Sequence, residues 1–232
     1  MTTRSPAATA AAVTGTDAPL APVFVPGWAS RPAMYGSAVP AGWTVLDLPS
    51  FRAGGGALDE YTDWLVGELS SRGPALVAGH SMGGALAVLA TAAEPSLVER
   101  LVLVSPAGFP LSKSTAACVR DLGGQILRGR FRIEDLAGSA ARLAAAPRTA
   151  LRLAHELRTL DLSAQMRAVR AAGVPATVIG CSSDTLVTCD HCRRAARLLG
   201  ADYREVEHTG GHLWMIGDPP ALAFELEATL AS

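Results

Sequence analysis

Three residues of this chain combine types and placing that suit base-assisted nucleophilic chemistry: Ser81, Asp184 and His212. Ser81 lies in Gly79-His80-Ser81-Met82-Gly83-Gly84, between the apolar runs PALVAG and ALAVLA. A serine hydroxyl is a weak nucleophile at neutral pH until a base takes its proton. An imidazole can be that base, and a carboxylate can set its tautomer and stabilise the imidazolium. A Gly-x-Ser-x-Gly spelling by itself is short enough to be a plain link between a buried strand and a buried helix. Its company gives it weight, because each of the three residues follows closely on a predicted strand: PALVAG (74–79), VPATVIG (174–180) and ADYREVEH (201–208). In an open parallel sheet, ligands sit beyond the carboxyl ends of the strands. Three separate segments therefore send a hydroxyl, a carboxylate and an imidazole to one edge.

Rivals exist for two of the roles. Asp190 and Asp161 are the reserve carboxylates, although Asp190 falls on a helical pattern and Asp161 in a helical insertion. His208, at the end of the last predicted strand, is the rival base; His212 follows a Gly-Gly turn that can present the ring. His80 reads as a packed neighbour of Ser81, and His155 and His191 as helix-surface residues.

The elements that must position these groups alternate between short β-type runs and helical spacing. PVFV (22–25) and WTVLDL (43–48) are the first two predicted strands. Leu58, Tyr61, Trp64, Leu65 and Leu69 then keep a helical period. PALVAG is the third strand, and the segment after Ser81 is apolar nearly all round, as a central buried helix would be. VERLVLVSP (98–106) is the fourth strand. VPATVIG resumes the alternation, TCDHCRRAARLLG (188–200) reads as a helix ended by Gly200, and ADYREVEH as an edge-side strand. Asp218 and Pro219 open a last helix whose inward stripe is Leu222, Leu226 and Leu230. Strands alternating with helices imply an α/β fold with a mostly parallel sheet covered on both faces. Residues 110–170 break the rhythm with helical pieces and no convincing strand, so they read as a helical cap inserted after the fourth strand. The core is then 21–109 with 171–232, and residues 1–20 a frayed N-terminus.

Composition excludes several classes. The 232-residue chain has a formal net charge of −1, so no global field calls for nucleic acid or an anionic membrane. Its 49% apolar content lies in runs broken by Gly, Pro or charge, short of the ~20 residues of a spanning helix. The first twenty residues lack the apolar stretch of a secretory signal. Four cysteines are too few for a disulfide scaffold at this length, which makes a reducing cytoplasm the expected compartment. Cys189-Asp-His-Cys192 has no second pair to complete a structural zinc site, so no metal and no cofactor is expected. Nothing separates a monomer from a homodimer. The charge is uneven, however: Pro110 to Arg170 carries eleven Lys and Arg against five Asp and Glu, a local +6.

VPGW at 25–28, DLPSFRAGG at 47–55, GHSMGG at 79–84, GCSSDTLV at 180–187 and GGHLWM at 210–215 together resemble the α/β-hydrolase family, over nearly the whole chain from Pro22 onward. The chain order Ser, Asp, His is also that family's. The resemblance implies a nucleophile elbow at Ser81, with side chains at Gly79 and Gly83 too large for the turn. It implies His212 as base, Asp184 as its partner, and an oxyanion site built from the backbone N–H groups of Trp28 and Met82. Two departures stand out. Pro26 replaces the histidine that many members carry before the oxyanion residue, so the first loop must be tied differently. The family's early β-hairpin also has no clear counterpart in residues 1–20.

A serine nucleophile excludes the aspartate-dependent branches, because an alkyl-enzyme ester needs a carboxylate. Acyl chemistry remains: hydrolysis of a carboxylic ester or thioester, with C–C bond hydrolysis, acyl transfer or cyclisation on the same residues as alternatives. A receptor-like module with slow hydrolysis is the reading from another class. The cap would set the acyl pocket, with Leu111, Leu122, Ile126, Leu127 and Leu136 as candidate lining and Trp214 beside them. Its arginines either solvate exposed helices or receive an anionic handle, such as the phosphates of coenzyme A or an acidic acyl carrier protein.

Overall fold

Strand residues here alternate between two cores. Val23 and Val25 of β1 (Val23–Val25) and Leu101 and Leu103 of β4 (Val98–Val104) enter one apolar cluster, while Phe24, Val102 and Val104 enter the other. That period of two is what a sheet buried on both faces requires. The computed structural model describes residues 22–53, 56–128 and 133–230. Residues 1–20, and with them the expected frayed terminus and the missing hairpin, lie outside the described residues.

The other strands are β2 (Thr44–Val45), β3 (Ala75–His80), β5 (Ala176–Cys181) and β6 (Asp202–Val206). The described strands form one sheet in the order β2-β1-β3-β4-β5-β6, and every pairing is parallel. The chain runs from β1 out to β2 and then returns to the other side of β1 for β3. The crevice between β1 and β3 is therefore the switch point where open α/β sheets bind ligands. β2 is shorter than WTVLDL led one to expect. After Leu46 pairs with Phe24 the backbone leaves the sheet, and the Asp47 carboxylate and Leu48 carbonyl are taken by Arg142 instead.

One face of the sheet is covered by α1 (Leu58–Arg72), α2 (Met82–Ala93), α6 (Ser163–Ala171) and α7 (Cys189–Leu199). The other is covered by α8 (Trp214–Gly217) and α9 (Pro219–Leu230), joined by Met34 and Tyr35. Helix α1 buries Leu58, Tyr61, Leu65 and Leu69, the stripe read from the sequence. Gly200 closes α7 at φ 65°, a left-handed cap that favours glycine.

Between β4 and β5 the chain makes α3 (Thr115–Arg128), α4 (Ile133–Ala145), α5 (Pro147–Thr159) and then α6. Only part of the expected cap stands apart from the sheet layers, because α6 packs on α2 and α7 within the flanking helices. Polar ties fasten α4 and α5 to the rest. Arg142 pairs with Asp47 at 2.5 Å and donates to the Ser30 carbonyl, and Glu156 accepts the Leu58 amide at the start of α1 at 3.2 Å. Trp28 Nε1 donates to the Ala150 carbonyl at 3.2 Å, joining the loop after β1 to α5.

Candidate active site

Ser81 sits between β3 and α2 at φ 54°, ψ −115°, a conformation that costs a non-glycine residue roughly 1–3 kcal/mol. Backbone bonds on both sides hold it there: its N–H donates to Val104, and its carbonyl accepts from Ala85 and Ala107. Two glycines make the turn sterically feasible. A Cβ on Gly79 would lie 2.4 Å from the Gly83 carbonyl oxygen, and one on Gly83 would lie 2.0 Å from that of Val25. The backbones of β1, β3 and α2 thus meet where any side chain would intrude.

The three residues read from the sequence come together in one hydrogen-bonded line. His212 Nε2 is 2.9 Å from Ser81 Oγ, and its Nδ1 is 2.7 Å from Asp184 Oδ2. The second carboxylate oxygen, Oδ1, accepts the amides of Leu186 and Val187 at 2.8 and 2.9 Å. Burial opposes the charge on Asp184, yet the attraction of His212 and these bonds hold its carboxyl below the usual range. A charged Asp184 can only accept, so His212 Nδ1 carries the proton and Nε2 faces the serine as a base. The loop bearing His212 is held from two sides: Ser183 Oγ accepts the Gly211 amide at 3.0 Å, and Gln125 Oε1 of α3 accepts the Leu213 amide at 3.2 Å.

The rival groups are engaged elsewhere. His208 accepts the Gly210 amide through Nδ1 at 2.8 Å and points its other nitrogen to Asp218 at 3.5 Å. Asp190 pairs with Arg193 on the exposed side of α7, and Asp161 accepts the Ser163 amide at the start of α6. His191 stacks on Phe109, and His155 is exposed. Among the described residues no group of three His, Cys, Asp or Glu converges as a metal site.

Sequence reasoning missed how the first loop is tied. Tyr35 is fully buried; its hydroxyl accepts the Gly27 amide at 3.3 Å and lies 2.8 Å from His80 Nδ1. His80 Nε2 faces the carbonyl oxygen of His212 at 3.1 Å. A carbonyl only accepts, so Nε2 is protonated, and Nδ1 takes the tyrosine hydroxyl hydrogen. One buried chain then connects the Gly27–Trp28 loop, through Tyr35 and His80, to the backbone of His212. Burial and the nearby His212 lower the His80 pKa to about 3, so the ring stays neutral, and burial pushes Tyr35 up to about 12. His80 was visible only as a neighbour of Ser81, and nothing around Tyr35 marks it in the sequence.

Met82 opens α2, where a helix leaves its first amides without intrahelical partners. Neither its amide nor that of Trp28 meets an acceptor among the described residues. Trp28 and Ser81 line one cavity, and Met82 follows Ser81 in the chain.

A cavity of about 70 Å³ opens over Ser81, walled by Trp28, Leu111, Val119, Leu122, Leu157 and Val187 among others. Of the six candidate lining residues, Leu111 and Leu122 are on this wall, and four are not. Leu127 is 88% exposed, because five residues past Leu122 it has turned ~140° round α3. Ile126 packs toward the core cluster behind the sheet. Leu136 belongs to α4, whereas the cavity is walled by α3 and α5. Trp214 is wholly buried in that rear core beneath His212. Helical spacing shows that a face is apolar; which neighbour it meets depends on the fold.

No curated protein sequence matches the chain. Among solved structures, a thermophilic esterase superposes with a TM-score of 0.71 at 19% identity, covering 91% of this chain and 89% of that one. A lipase-esterase related protein from Clostridium acetobutylicum ATCC 824 gives 0.68 at 16% identity over 89% and 93%. The N-formylmaleamic acid deformylase of Pseudomonas putida S16 gives 0.65 at 17% identity over 90% and 92%. At these identities the likeness speaks for the fold. Residues 23–226 match the profile of the Alpha/beta hydrolase family, and the chain therefore belongs to that family and is a hydrolase.

Proposed function

We propose that the protein hydrolyses a carboxylic ester or thioester of small size through an acyl-enzyme on Ser81. The observation that carries this reading is His212 bridging Ser81 Oγ at 2.9 Å and Asp184 Oδ2 at 2.7 Å, at the mouth of an apolar cavity. His212 takes the Ser81 proton as Oγ attacks the carbonyl carbon, and returns it to the leaving alcohol or thiol. Asp184 stabilises the imidazolium that forms between the two steps. The Trp28 and Met82 amides meet the negative oxygen of the tetrahedral intermediate. Water, activated by the same imidazole, then releases the acid and restores the serine.

The remaining features bear on surroundings. No described helix is long and apolar enough to cross a membrane. All four cysteines are unpaired, which supports a reducing compartment. The substrate is a small acyl compound, free or borne on coenzyme A or a carrier protein, met beneath the cap formed by α3, α4 and α5.

The test is kinetic and covalent together. A 4-nitrophenyl ester series of increasing acyl length should show sustained turnover, and an alkyl fluorophosphonate should stop it while adding one label to the peptide containing Ser81. Labelling at one equivalent with no turnover of any ester would overturn hydrolysis and favour a ligand-binding role.

A further inference from the structure

The cavity over Ser81 is apolar on most of its wall, yet it contains one cation. Arg158, near the end of α5, lines it together with Leu111 and Leu157. Its Nε is buried without a hydrogen-bond partner, and no carboxylate pairs with the side chain among the described residues. Several other arginines are engaged by protein groups. Arg142 is held by Asp47, Arg193 by Glu205 and Arg204 by Glu225, and Arg100 donates to the Thr229 carbonyl. Lys113, the one lysine of the segment, pairs with Asp121 and donates to the Thr185 carbonyl. No Asp or Glu lines the cavity. The positive charge reaches across it: burial pushes the Cys118 thiol on α3 up, while Lys113 and Arg158 pull it back.

A guanidinium stays charged at any physiological pH, so the half-buried Arg158 cannot relieve its unsatisfied, buried Nε–H by losing a proton. An unpaired donor in such a place is expensive unless something arrives to accept from it. From Arg158, which shares an otherwise apolar cavity with Ser81 and has no carboxylate partner among the described residues, we infer that the acyl group of the substrate carries its own carboxylate, which pairs with Arg158 while Ser81 attacks the ester or thioester at the other end. This rests on the ester-hydrolase reading and sharpens it from any small acyl group to the half-esters of short dicarboxylic acids. At ~10–15 Å³ for each water-sized site, a cavity of about 70 Å³ takes an acyl chain of a few atoms, so a group that meets Arg158 within it is a short one. The local +6 of the segment led to a broader expectation of an anionic carrier; the structure narrows it to one side chain inside the cavity.

Two measurements test the inference separately from the hydrolase reading. In the first, thermal unfolding is followed with glutarate and with butyramide, a neutral ligand of similar size. Glutarate should raise Tm for the wild type and not for Arg158→Gln, and butyramide should shift neither. In the second, kcat/KM is compared for 4-nitrophenyl hydrogen glutarate, 4-nitrophenyl butyrate and butyryl-CoA. The ratio of the first to the second should fall about tenfold to a hundredfold in Arg158→Gln, the range of a charge-assisted hydrogen bond, and be partly kept in Arg158→Lys. An unchanged ratio with active enzyme overturns the role of Arg158 and leaves the hydrolase reading standing. A loss confined to butyryl-CoA overturns the acyl-side placement. Arg158-dependent glutarate binding with no ester turned over overturns hydrolysis and upholds the carboxylate site.

Discussion

Two helices flank the proposed nucleophile, and they are built in opposite ways. Helix α2 starts at Met82 and buries nine of its twelve residues between the sheet and α1. Helix α3 walls the cavity from the other side; none of its described residues is buried, Val119 is 39% exposed and Leu127 88%. The first helix is fixed by close backbone packing that tolerates no added atom. The second rests on the site through a few contacts, including Leu122 and the Gln125 bond to the Leu213 amide. A serine, an imidazole and a carboxylate must be held within a few tenths of an ångström, so they stand on strand ends braced by the rigid layer. Selection of the proposed acyl group needs shape and one charge: α3 supplies part of the cavity wall, and Arg158 of α5 the charge.

The comparison can be broken at several points. The largest effect is expected from Ser81→Ala, which should lower kcat by about 10⁶-fold, the order seen when one member of such a cooperating set is removed, while circular dichroism stays unchanged. Next is Gly83→Ala. Its Cβ would lie 2.0 Å from the Val25 carbonyl oxygen, and urea unfolding should report a loss of about 3 kcal/mol or more. A well-folded Gly83→Ala protein with unchanged midpoint would refute the account of the rigid layer.

Acid should find the same layer. His80 is neutral and buried, with its pKa lowered to about 3, whereas in the unfolded chain a histidine takes its proton near 6.5. Between those values the unfolded state binds more protons, so this contribution to stability is present above the unfolded pKa and lost as pH falls. Chemical denaturation should lose about 1 kcal/mol for each pH unit below 6 from this group. Asp184 is depressed as well, but its contribution fades only as pH falls through the ordinary carboxylate range and below, so the window from pH 6 to 5 separates His80 from Asp184. His80→Gln should flatten that slope.

The smallest effect lies in the other helix. A Cβ at Gly123 of α3 would meet nothing within 4 Å. Gly123→Ala should stabilise the protein by about 0.5–1 kcal/mol through helix propensity alone, seen as a raised Tm. A loss comparable to that of Gly83→Ala would show that α3 is packed as tightly as α2.

Much of this division is legible in the residues. The period of two in the strands, the all-round apolar run after Ser81 and the glycines at 79 and 83 are local signals, and they led to a parallel sheet with an elbow at β3. Ser81, Asp184 and His212 were found because each follows a strand, and parallel strands bring their carboxyl ends to one edge whatever their separation in the chain. Tyr35 could not be found that way. Its role depends on meeting His80, forty-five positions later, in a contact that no spacing rule encodes. The cavity wall was half legible for a related reason. Amphipathic helices announce an apolar face, but α3, α4 and α6 each had several surfaces to meet, and the rotation that puts Leu122 inward turns Leu127 out. Arg158 was one of ten arginines in a basic segment until the fold set it against the cavity with its Nε buried. Periodicity and strand order, which are properties of neighbours along the chain, thus determined the fold and the residues proposed to react. The tie of the first loop and the charge in the cavity were decided by which distant side chains came to share a low-dielectric interior, and only the tertiary structure sets that.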